Sequence, residues 1–126
     1  AKVPFLRNKK LSGDNITTIE VVRDAIIKLE KLGLIFDLVF VIYPTSIFIK
    51  KKMILKSIKS FKNSKSLDYF LAVKKYEHPI SRAYYIKNER LNLKKKGEYK
   101  KKTQSLKNYY FDSGQMFVGR TINFKK

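Results

Sequence analysis

Within residues 109–119, YYFDSGQMFVG, the polar residues Asp112, Ser113, Gly114 and Gln115 interrupt an apolar run that resumes as Met116-Phe117-Val118. A carboxylate, a hydroxyl, an unhindered backbone and an amide at a strand mouth are groups from which a ligand pocket is built. The same pattern fits a surface hairpin, so this segment alone leaves both readings open. A second chemical position lies at Thr17 and Glu20, which have the spacing of a capping box. Thr18 then falls in the first helical turn, where free backbone N–H groups and the helix dipole favour an anion or a polar ligand atom. The single histidine, His78, stands beside Pro79 with no partner at metal-ligand spacing and reads as structural. No G-x-S-x-G, G-x-x-x-x-G-K-[ST] or G-x-G-x-x-G occurs, and the ten acidic residues are too dispersed to form an obvious catalytic pair.

The elements that must position these groups follow from periodicity. Ile19, Val22, Ile26 and Leu29 recur on one face of the helix opened by Thr17, and Gly33 supplies its stop. Residues 34–43, LIFDLVFVIY, are nearly continuously apolar and rich in β-branched and aromatic side chains, which predicts a strand covered on both faces in a parallel sheet. A helix is expected over 51–62 with lysines outward, and a strand over 69–73. Strand, helix and strand at these distances read as a βαβ unit, whose ligands bind beyond the carboxyl ends of the strands, here at Tyr43 to Ser46. The pattern loosens over 74–108. Ala83 to Ile86 could form a strand, but the stretch as a whole reads as an arm or insertion on a single partial domain spanning 1–126. There is no internal repeat.

Composition bounds the partners. The 126 residues carry a formal net charge of +19, which ordinarily points to nucleic acid or an anionic membrane. Only five of the 29 basic residues are arginine, the residue best suited to phosphate and base edges. Lys, Ile, Asn, Phe and Tyr share AT-rich codons and make up nearly half the chain, so drift in base composition accounts for lysine without a selected binding surface. Neither a specific nucleic-acid partner nor a membrane is expected. No apolar run has bilayer-spanning length, no signal-peptide pattern occurs, and the absence of cysteine fits a reducing, cytoplasmic setting.

Four segments taken in order, VPFLRNKKLSGDNITTIEVVRDAI, VFVIYPTSIF, EHPISRAYYI and TQSLKNYYFDSGQMFVG, resemble the succession found in acylneuraminate cytidylyltransferases, most closely the branch acting on pseudaminic acid. The resemblance implies an α/β/α sandwich of the nucleotide-diphospho-sugar transferase type, with a small dimerisation arm. It implies attack by the anomeric hydroxyl of a nine-carbon acidic sugar on the α-phosphate of CTP, with Mg²⁺ as cofactor and a homodimer as the complete form. Arg7 and Thr18 match nucleotide-binding positions. Tyr43 matches the pseudaminic-type replacement of a family Gln, and Asp112, Gly114 and Gln115 match D-A-G-Q on the sugar side. Lys102 stands where an arginine receives the sugar carboxylate, and Arg82 resembles a basic residue given by the arm to the neighbouring site. Lysine at 102 exchanges a fork for a point charge, Ile47 replaces a family proline, and Asn8-Lys9-Lys10 replaces P-x-E. The family's R-x-G-S-K-R triphosphate loop and its metal-binding aspartates are not among these residues, so the resemblance implies an internal fragment with its metal ligands elsewhere and no turnover alone. Sialic or legionaminic acid is the alternative sugar. A basic nucleic-acid module using Lys94 to Lys102 with Tyr99, Tyr109 and Tyr110 is the alternative class, and a degenerate gene product without activity is a third.

Overall fold

The first helix begins where its cap predicts. Thr17 accepts the Glu20 N–H through its hydroxyl, while the Glu20 carboxylate accepts the Thr17 N–H at 2.7 Å, and α1 (Thr18–Lys31) follows. It ends in a reciprocal pair of bonds, Gly33 N–H to Glu30 O and Leu34 N–H to Leu29 O, with Gly33 at φ +78°. This stop explains why the apolar run at 34–43 yields a shorter strand than predicted. Leu34 is spent on the helix cap, and Ile35 stays 88% exposed. The strand β1 covers Leu38–Ile42.

The computed structural model describes residues 2–126. It divides into two units, Ala1–Leu71 with Gln115–Lys126, and Ala72–Gly114. After β1 come α2 (Lys51–Asn63), β2 (Tyr69–Lys75), the hairpin β3 (Tyr84–Lys87) and β4 (Arg90–Leu93), β5 (Tyr110–Arg120) and α3 (Thr121–Lys125). β2 and β5 each contribute residues to both units.

In the first unit the strand order is β1-β5-β2, with β5 antiparallel to β1 in the register Leu38↔Arg120 to Ile42↔Met116. The expected crossover from β1 through α2 to β2 is therefore present with β5 inserted between its strands, which makes the β1 ladder antiparallel. An apolar run reports burial and is silent on the direction of its neighbour. Alternation along β5 sends Met116, Val118 and Arg120 to one face and Phe117 and Gly119 to the other. On the first face the Arg120 guanidinium lies over the Phe61 ring and donates to the carbonyls of Phe61 and Ser64, which ties down the end of α2. On the second, Phe124 of α3 packs against Phe117 and edge-on to Tyr69, while Arg23 of α1 donates to the Phe124 carbonyl at 2.9 Å. Helices thus cover both faces of a mixed α/β core whose fully enclosed side chains include the apolar Ile26, Met116, Val118 and Phe124 and the polar Ser57.

In the second unit the hairpin pairs Tyr84↔Leu93 through Lys87↔Arg90. Its two-residue turn is Asn88-Glu89, both at positive φ (51° and 60°), as the right-handed twist of a tight hairpin requires. The second half of β2 lies against the first half of β5, with the Tyr76 N–H on the Tyr109 carbonyl and the Ser113 hydroxyl on the Ala72 carbonyl.

Candidate functional site

β1 ends at Ile42, and the chain turns through Tyr43-Pro44-Thr45-Ser46 at its carboxyl end. The Tyr43 N–H donates to the Gln115 carbonyl at 3.2 Å, and the Ser46 hydroxyl donates to the same oxygen at 2.7 Å. The ladder thereby extends one step beyond Ile42↔Met116 and makes Tyr43 and Gln115 cross-strand neighbours, whose side chains share a face. Phe117, two residues on, sits with its ring 6.4 Å from that of Tyr43. Both Tyr43 and Gln115 are half-buried. A phenol and a primary amide side by side at a strand end offer donors and acceptors to a hydroxylated ligand without adding charge. The sequence reading placed Ser46 at this strand edge but gave it no individual role, and the structure shows its hydroxyl bracing the turn on Gln115. The only signal for Ser46 is its place two residues after the proline that closes the strand.

Four other sequence-derived positions lie in the unit Ala72–Gly114. Gly114 has φ +64° with open space where a side chain would project, and its N–H donates to the Asp112 carboxylate at 2.9 Å. The polar interruption is therefore partly occupied with the backbone: Asp112 holds Gly114, and Ser113 holds Ala72. Arg82 is half-buried, and its guanidinium donates to the Lys101 carbonyl while Nε is buried with no partner among the described residues. Lys102 follows directly as the exposed cap of a short 3-10 turn (Thr103–Ser105), and its carbonyl accepts both the N–H and the hydroxyl of Ser105. The Tyr99 hydroxyl, bonded to that of Tyr84, raises the Tyr84 phenol above its ordinary pKa.

Thr18 is the first residue of α1 and half-buried, as the capping box requires. Arg7 is exposed on an irregular segment whose Phe5 ring lies 5.2 Å below the Lys28 ammonium. Of the eight positions, Tyr43 and Gln115 are joined by a hydrogen bond; no described hydrogen bond links Arg7 or Thr18 to them. The same unit that carries Arg82 and Lys102 also holds a cavity of about 350 Å³ between residues 75–79 and 103–109. Its walls are about thirty residues apart in sequence, and no motif spans them. Among the described residues no three His, Cys, Asp or Glu side chains gather so as to hold a metal ion. No described helix is long and apolar enough to cross a membrane.

No protein-family model matches the chain. Curated proteins do. Over 120 residues it is 32% identical to a pseudaminic acid cytidylyltransferase of Campylobacter jejuni serotype O:2, an alignment covering 94% of this chain and 51% of that protein. By sequence, the chain is related to pseudaminic acid cytidylyltransferases. A second relative of that name, from Campylobacter jejuni serotype O:23/36, is 31% identical over the same length and coverage. The chain spans about half the length of these cytidylyltransferases.

Proposed function

We propose that these residues form part of the sugar-activating site of a pseudaminic acid cytidylyltransferase. In this reading the anomeric hydroxyl of pseudaminic acid forms a new O–P bond at the α-phosphate of CTP, the bond to the β-phosphate oxygen breaks, and pyrophosphate leaves. The observation that carries the sugar side is the Tyr43–Gln115 pair at the carboxyl end of β1, two positions that the resemblance assigns to sugar recognition and that a backbone hydrogen bond joins. Asp112 and Gly114 precede Gln115 on β5, and Arg7 and Thr18 are proposed on the nucleotide side. A rigid strand pair suits such a site, because phosphoryl transfer depends mainly on positioning and charge neutralisation. The sandwich of the nucleotide-diphospho-sugar transferase type, a cytoplasmic location, a Mg²⁺ held by ligands outside these residues and a homodimer joined through the arm at 74–108 belong to the same proposal.

Arg82 takes a different part here from the one the resemblance implies. With its guanidinium on the Lys101 carbonyl, it holds the turn that leads to Lys102 and acts as a positioning residue.

The test is pyrophosphate release from CTP by the product of the gene's whole reading frame, offered pseudaminic, legionaminic and sialic acids in parallel. Turnover should be fastest with pseudaminic acid and absent from the isolated 126-residue chain. A preference for sialic acid would remove the role given to Tyr43.

A further inference from the structure

Arg7 stands on an irregular segment, yet the chain on either side of it is tied down. Of residues 2–10 only Phe5 is half-buried; the others are exposed. The Lys28 ammonium lies over the Phe5 ring, 5.2 Å from its centroid, as a cation over an aromatic face. That ammonium is itself fixed one turn along α1 by the Asp24 carboxylate at 2.8 Å, and the two side chains are only 31% and 29% exposed. On the other side of Arg7, the Asn8 side-chain carbonyl accepts the Lys10 N–H at 3.0 Å. The Asn8 backbone carbonyl accepts the Leu11 N–H at 2.9 Å and the Ser12 hydroxyl at 3.3 Å. These bonds cap a 3-10 turn over Lys9–Leu11, and Leu11 returns to a half-buried place. Arg7 spans the gap between the two anchors, exposed and outside every described ion pair.

Asn8 stands where the family pattern has proline. Its φ is −64°, the value that a pyrrolidine ring locks, and its own N–H donates to no described acceptor. Here a side-chain cap does by hydrogen bonding what proline does by covalent geometry. We infer that Phe5 and Asn8 are positioning residues for Arg7, the first holding the segment to α1 and the second fixing the turn, so that the guanidinium is set for the nucleotide before it arrives. The inference rests on the proposed function for the nucleotide role of Arg7. A contact carried on a loose segment loses apparent affinity in proportion to the time spent elsewhere. Loss of either anchor should therefore appear in KM for CTP and not in kcat.

The test uses the product of the whole reading frame, with pyrophosphate release measured against CTP concentration and hydrogen exchange followed over residues 3–12. Phe5→Ala and Asn8→Ala should each raise the KM for CTP about fivefold, the ordinary effect of losing a cap, with kcat held. Exchange over 3–12 should quicken in both. Asn8→Pro suits the existing φ and forfeits no described N–H bond, so it should recover the parent's KM. Arg7→Ala should raise KM at least as far, and adding Phe5→Ala or Asn8→Ala to it should cost nothing more, because both act through Arg7. Additive losses would overturn the inference, since they would mark a general weakening of the fold. So would an Asn8→Pro enzyme as poor as Asn8→Ala, or exchange unchanged in the two alanine variants. A KM unmoved by Arg7→Ala would also overturn it, while turnover by the parent kept the cytidylyltransferase reading standing. No release by the parent with any of the three sugars would defeat that reading and the inference together.

Discussion

Two glycines on β5 separate two reasons for being glycine. At Gly119 a Cβ would come within 2.7 Å of the Tyr69 and Phe124 rings, while the backbone itself is ordinary extended chain. At Gly114 nothing stands within 4 Å, but φ is +64°. Gly119→Ala should therefore act by overpacking, costing about 1–3 kcal/mol as the two rings are displaced. Gly114→Ala should cost about 1–2 kcal/mol from backbone conformation alone. Chemical denaturation measures both, and combining Gly119→Ala with Tyr69→Leu tells them apart. Trimming the ring should recover part of the Gly119→Ala loss and leave the Gly114→Ala loss unchanged. Equal recovery in both would mean that the crowding at Gly119 has been misread. Neither cause is visible in the letter G, because one depends on Tyr69, 50 positions away, and on how Phe124 folds back, and the other on a dihedral angle.

At the scale of elements, what could be read in advance was local. Thr17, Glu20 and Gly33 announce where α1 starts and stops through bonds reaching three to five residues, and the structure has those bonds. The insertion of β5 between β1 and β2 could not be read, since pairing depends on a strand about 75 residues downstream with no compositional mark of direction. The Asn88-Glu89 turn also went unread, because glutamate at positive φ lacks the glycine that ordinarily flags such a turn. For the candidate site, Gln115 was legible as part of a polar interruption and Tyr43 as a strand-edge position, while a role in sugar recognition came only from the family pattern; their adjacency needed the register. The cap of α1 carries its own test. The Glu20 carboxyl is held below its usual 4.5, first by the Thr17 hydroxyl and then by the Thr17 N–H. A depressed folded-state pKa adds stability that is full above the unfolded value and fades as pH falls through the folded one. Thr17→Ala should cost about 1 kcal/mol near neutral pH, the usual worth of such a cap. The gap between parent and variant should narrow as the solution is acidified below about 4.5. A gap that stays constant down to the acid transition would show that the Glu20 bonds add nothing.

For the molecule as a whole, charge sets the behaviour. A net charge of +19 is spread over 126 residues, and the described ion pairs are Lys28–Asp24, Lys95–Glu98 and Lys125–Glu30. Each has side chains at least partly open to solvent, where such a pair contributes about 1 kcal/mol or less. Mutual repulsion among the lysines therefore outweighs attraction, and stability should rise when salt screens it. Raising sodium chloride from about 0.01 M to about 0.15 M shortens the Debye length from about 30 Å to about 8 Å. The thermal midpoint should climb over that interval and then flatten. Binding to mixed-sequence single-stranded DNA should fall over the same interval to a level too weak to saturate, because contacts carried by phosphate charge alone are lost as salt competes for the phosphates. The two measurements must move in opposite directions with salt. A midpoint that falls as salt is added would mean that ion pairs dominate the fold. Tight DNA binding surviving at about 0.15 M would mean that Lys94 to Lys102 and their tyrosines are a nucleic-acid surface after all.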